Sequence, residues 1–113
     1  MIIIDTDNNM LVTRGDTATI DISIKDDNDQ EYTLQPGDKI IFSVKRLVNQ
    51  PDTVLEKTLT AKQLVLDSED TDTLTFGTYK YDMVLITATD VCTFICFKDF
   101  IVGEEVHNLE SQW

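Results

Sequence analysis

Residues 77–85, GTYKYDMVL, decide the fold. Tyr79, Tyr81, Met83 and Leu85 recur at every second position, so they share one face of an extended segment, with Lys80 and Asp82 on the other. That pattern is the spine of a half-buried sheet. A turn through Ala88-Thr89-Asp90 leads into a second apolar run, VCTFICFKDFIV at residues 91–102. Strands are therefore expected over residues 78–87 and 91–102, paired as a hairpin.

Near the turn both arms are apolar on two faces: Met83-Val84-Leu85-Ile86 in the first, Phe94-Ile95-Cys96-Phe97 in the second. Loop length sets the register, and loops of three or four residues both fit. With Tyr81, Met83 and Leu85 inward, the shorter loop leaves Val84, Ile86 and Phe94 outside, and the longer leaves Ile86, Val91, Ile95 and Phe97. Either register exposes an apolar patch, which must be covered by the chain's own ends or by another molecule. Val84, Ile86, Phe94, Ile95 and Phe97 are the candidate association surface. Cover by MIII at the start or GEEVHNLESQW at the end is the competing reading.

Working back toward the start, the same period of two recurs. Residues 63–67 carry Leu64 and Leu66, and residues 53–60 alternate Val54, Glu56 and Thr58 with Leu55, Lys57 and Leu59. The polar loop VNQPD at residues 48–52 separates these from residues 39–47, where Ile40, Phe42 and Val44 share a side. Gln35-Pro36-Gly37-Asp38 launches that strand as a type II turn: proline presets the first central φ and glycine supplies the positive φ of the second. In residues 17–25, Ala18, Ile20, Ile22 and Ile24 alternate with Thr19, Asp21, Ser23 and Lys25, a strand wet on one side. Asp26-Asp27-Asn28-Asp29-Gln30 turns it back onto residues 31–34. Residues 2–4 form a short first strand, and residues 10–13 a second strand or its continuation.

Ser68 is followed by Glu69 and Asp70, which suits a helical turn near residues 68–73 with Ser68 as N-cap. Its four acids between Asp67 and Asp72 are the densest negative cluster. Neighbours on one turn do not converge across a cleft as paired catalytic carboxylates must, so they read as a solvated cap.

A chain of 113 residues is one domain, 1–113, able to bury roughly two thirds of its unfolded surface, with residues 107–113 as a flexible tail. The formal charge of −12 argues against a nucleic-acid or membrane partner, because both would be repelled. A basic protein or a cation remains open. Cys92 and Cys96, four apart on one strand, are separated by ~13 Å at a rise of ~3.3 Å each. A disulfide needs Cα atoms within about 7 Å, so reduced, packed thiols are expected. MIIIDTDNN has no basic start and too few apolar residues for a secretory signal, and no stretch approaches the ~20 apolar residues of a membrane span.

Motifs that promise chemistry are weak. Arg14-Gly15-Asp16 resembles an integrin-binding tripeptide, but its flanks favour a glycine-relaxed turn into the strand at residue 17. Counted from Asp27 as a calcium loop, Tyr32 stands where glycine is required and Asp38 where glutamate is. His107 is the one histidine, the four glycines are scattered, and no metal-ligand spacing appears. No enzyme activity, cofactor or metal is expected.

The order of elements is familiar. The runs TRGDTATIDISIKDDNDQEYTLQPGDKIIFSVK, DTLTFGTYKYDMVLIT and DFIVGEEV resemble small β-sandwich domains in tail and baseplate proteins of phages of Gram-positive bacteria. They are similar to the N-terminal domain of the upper baseplate protein. The likeness spans residues 10–106 and rests on Arg14-Gly15-Asp16, Gly37-Asp38, Val44-Lys45, Gly77-Thr78-Tyr79 and Tyr81-Asp82. It implies an immunoglobulin-like antiparallel β-sandwich of about seven to nine strands. It also implies a phage or prophage structural protein made in the bacterial cytoplasm and carried in the virion of an active phage. Its partners would be other phage structural proteins or copies of itself. Baseplate proteins continue into a stalk and receptor-binding regions where this sequence stops at Trp113, so a stand-alone adaptor or prophage remnant is implied. The alternative is a ligand-binding module recognising a cell-surface glycan through Tyr32, Tyr79 or Trp113.

Overall fold

The computed structural model describes residues 2–4, 7–46 and 53–103. The loop expected at 48–52 and the tail expected at 107–113, with His107 and Trp113, lie outside them. The described residues are all-β apart from one helical turn. In chain order the elements are β1 (Ile2–Ile4), β2 (Met10–Thr13), β3 (Ala18–Asp21), β4 (Lys39–Lys45), β5 (Thr53–Leu59), β6 (Gln63–Leu66), α1 (Ser68–Thr71), β7 (Gly77–Ile86) and β8 (Val91–Gly103). A six-stranded sheet runs β1-β2-β8-β7-β4-β5, and β3 pairs with β6 as a second, two-stranded sheet.

Alternation places the core. Tyr79, Tyr81, Met83 and Leu85 of β7 are all buried, as are Ile40, Phe42 and Val44 of β4 beside them. Ile20 of β3, Ile22 and Ile24 just beyond it, and Leu64 and Leu66 of β6 belong to the same core. At its centre the rings of Phe42, Tyr81 and Phe100 lie 5.6–6.3 Å apart in tilted and edge-on arrangements, the favourable geometries for aromatic pairs.

The expected antiparallel sandwich needs one correction. β2 and β8 pair in parallel, from Met10↔Phe100 to Thr13↔Gly103. Parallel neighbours need a long crossover, and here nearly the whole domain intervenes between them. A second correction concerns residues 17–25, whose ladder covers only Ala18–Asp21. Its partner β6 begins at Gln63, opposite Asp21, so the pairing runs out there. Ile22 and Ile24 remain buried, and the Ile22 N–H donates to the Lys62 carbonyl at 2.9 Å.

The Gln35–Asp38 turn forms as expected: Gly37 has φ +90°, and the Asp38 N–H donates to the Gln35 carbonyl at 3.0 Å. At α1 the cap is Asp67, not Ser68. The Asp70 carboxylate accepts the Asp67 N–H at 2.7 Å and pairs with Lys57 at 2.7 Å, which draws the turn one residue toward the N-terminus. Thr71, fully buried, accepts the Gly15 N–H on its Oγ1 at 2.9 Å. So the turn is docked on one side rather than solvated all round.

Candidate functional site

The surface marked in the sequence is organised by two irregularities in the β7–β8 hairpin. Its loop is the longer of the two alternatives: Ile86 pairs with Val91, and the Thr87 N–H donates to the Asp90 carbonyl at 2.9 Å. The Asp90 N–H donates in turn to Thr87 Oγ1 at 3.0 Å. Along β8 the register then slips twice. Val84 faces Thr93 but Met83 faces Ile95, leaving Phe94 as an extra residue; Tyr81 faces Lys98, so Asp82 alone spans both Cys96 and Phe97. Each slip is a β-bulge, which inserts a residue and re-aims its side chain.

The bulges redistribute the five marked residues. Val84 and Ile86 lie half-buried on the outer face, with Ile41 of β4 opposite Val84. Phe97 also lies outside, over Ser43, Lys45, Lys80 and Asp82, and remains 54% exposed. Its φ is +54°, a left-handed conformation uncommon for an aromatic residue. Phe94 and Ile95 instead pack against the core, because the extra residue brings two consecutive side chains to the inner side. There, with Met83, Ile20 and Ile22, they line an open cleft of about 240 Å³. Val91, outward only in the longer-loop register, is 73% exposed.

Lys80 lies opposite Asp99 and forms an ion pair with it. Asp82, partly covered, has its carboxyl pushed above the usual range by burial, against a smaller opposing pull from Lys45. Cys92 and Cys96 are free and exposed, not packed as expected. The loop side and the second bulge hold them out of the core.

Other motifs resolve into structure. Arg14 stacks over the Phe76 ring at 4.3 Å, Gly15 has φ +82°, and the Asp16 N–H donates to the Thr13 carbonyl at 3.2 Å, so the tripeptide is a turn against α1. Asp26 Oδ1 accepts the N–H groups of Asn28 and Gln30 at 2.9 and 3.0 Å, spending itself on its own turn. Tyr79 is buried and its hydroxyl donates to the Thr75 carbonyl at 2.9 Å, which removes it as a sugar platform. Tyr32 is half-buried, its hydroxyl donating to Asp38 at 2.5 Å, beside a hollow of about 440 Å³ under the hairpin loop. Among the described residues no three His, Cys, Asp or Glu side chains group as a metal site, and no helix is long and apolar enough to cross a membrane.

No protein-family model matches the chain, and no curated protein or solved structure matches it either.

Proposed function

We propose that this chain is a non-enzymatic structural module of the phage tail or baseplate kind, acting through protein–protein assembly on the outer face of its β7–β8 hairpin. The observation that carries this reading is Phe97. An aromatic side chain held in a costly left-handed conformation yet left half in water does little for its own core, and strain of that sort collects at functional positions. Val84, Ile86 and Val91 extend the apolar face, and large aromatics are the usual anchors of interfaces. The phage setting comes from the sequence resemblance alone.

Sequencing the DNA on either side of the gene tests that setting. Neighbours encoding capsid, tape-measure or tail-fibre proteins are expected; neighbours for sugar uptake or metabolism overturn it. The glycan-binding alternative keeps one supporting feature, the hollow beside Tyr32. A glycan array separates the two, since a structural subunit binds no sugar.

A further inference from the structure

We infer that the open edge of β8 at residues 91–98, with the cleft beneath it, receives an extended segment of a partner protein. That segment drops one large apolar side chain into the cleft and carries lysine or arginine beside it. This names the kind of partner and rests on the assembly reading above, but it uses the edge of the hairpin rather than its outer face.

Three features converge on that occupant. The first is an unfinished ladder. β7 runs the length of β8, whereas β2 pairs with it only from Phe100 to Gly103. Asn9 Oδ1 accepts the Asp99 N–H at 2.9 Å, closing that position. From Lys98 back to Val91, the side away from β7 makes no backbone hydrogen bond among the described residues. Among the described residues a strand lane about eight residues long is thus left open, and such lanes are filled by extended chains.

The second is the cleft. The bulge that turns both Phe94 and Ile95 inward makes them one wall of it, with Ile20 of β3 and Ile22 just beyond that strand as another and Ile4 and Asn8 also lining it. Its 240 Å³ is smaller than the ~300 Å³ at which small-molecule sites begin, and it suits a single side chain from a strand lying in the lane. In strand addition the main chain supplies affinity and such a pocket supplies selectivity.

The third decides between partners. A second copy of β8 fits the lane poorly, because both strands would carry bulges: Thr93 faces out while Ile95, two residues on, faces in. A regular strand fits, as β7 demonstrates by pairing across both bulges. Residues 91–97 of the edge, VCTFICF, hold no charge and Lys98 stands at the far end of the lane, while exposed Asp21 stands on the cleft rim at the other side, in a chain of net charge −12. A basic residue flanking the inserted side chain is the complement of that rim.

The test uses the full chain as bait for a displayed library of random twelve-residue peptides. Enriched peptides should share a Leu, Ile or Phe with Lys or Arg close by. The bound peptide should slow amide exchange at residues 91–98 by on the order of tenfold. Phe94→Glu, which puts a charge in the cleft, and Asp21→Lys, an exposed change that leaves the core alone, should each weaken binding by about tenfold. Glu69→Gln, an exposed change on α1 outside the lane and the outer face, should leave it unchanged. No enrichment over the Phe94→Glu background, or protection elsewhere, overturns the inference. So does protection of residues 91–98 in the free chain: concentration-independent protection puts its own chain in the lane, and protection rising with concentration puts a second copy there. The neighbouring genes bear on the assembly reading and not on the lane, so the two fail separately.

Discussion

Phe97 stands across the β7–β8 ladder from Asp82, at the one point where a single residue of β7 spans Cys96 and Phe97 together. The pairing places a large apolar ring over a half-covered carboxylate on the outer face of the sheet. Both groups are held in states they would not choose alone: the phenylalanine at positive φ, the aspartate short of water. Each makes a separate, measurable contribution.

Phe97→Gly should leave stability unchanged or raise it by up to ~1 kcal/mol, because glycine adopts positive φ without the Cβ penalty and little buried surface is lost. Phe100→Ala, three residues on and fully buried, should cost about 3–5 kcal/mol. Urea unfolding of the two variants makes the comparison. A loss above ~1.5 kcal/mol in Phe97→Gly would make Phe97 an ordinary packing residue and remove the support it gives to an interface.

Asp82→Asn should stabilise the protein at neutral pH. The folded-state pKa of Asp82 is raised, so its ionised form opposes folding above that value, and the penalty fades as pH falls through it toward the unfolded value of 3.8. The gain should stay below ~1 kcal/mol, since the carboxyl still meets water, and should vanish near pH 3. An equal gain at both pH values would point to packing instead of charge.

Period-two alternation made the core faces of β4, β6 and β7 legible, since every second apolar residue there is buried. It could not locate the bulges. No glycine marks Phe94 or Phe97, and a bulge set by one residue's φ leaves no periodic trace until the following side chains have changed faces. The error therefore fell on Phe94, Ile95 and the cysteines of the same strand. The β2–β8 pairing was hidden for another reason: it joins opposite ends of the domain, and parallel register has no turn to announce it. At α1, Asp67 and Ser68 are adjacent residues of comparable capping strength. The choice was made by the Lys57 pair and by the burial of Thr71, both tertiary.

Thr71→Val tests that docking. The exchange keeps the shape of a fully buried side chain but removes the acceptor of the Gly15 N–H, leaving a donor unpaired at the Arg14-Gly15-Asp16 turn. A cost of about 1–3 kcal/mol is expected, with faster amide exchange at Gly15. Unchanged exchange there would mean that Arg14 on Phe76 holds the turn without help from α1.

Glu31 should contribute to the acid limb of the stability curve. Its carboxylate accepts hydrogen bonds from Lys62 and from Ser23 Oγ, the latter at 2.8 Å, and these hold its pKa down to about 2 from 4.5. Lys62 also donates to the Tyr32 carbonyl at 2.6 Å, so one ammonium ties the polar hairpin to the start of β6. Because the folded-state pKa is depressed, Glu31 contributes stability that is fully present above 4.5 and lost as pH falls toward 2. Lys62→Met removes the main cause of the depression. Its urea midpoint should therefore decline less steeply than the parent's between about pH 5 and pH 2, although it starts lower. Matching slopes would assign the acid limb to other carboxylates and reduce the Glu31–Lys62 contact to an exposed pair without thermodynamic weight.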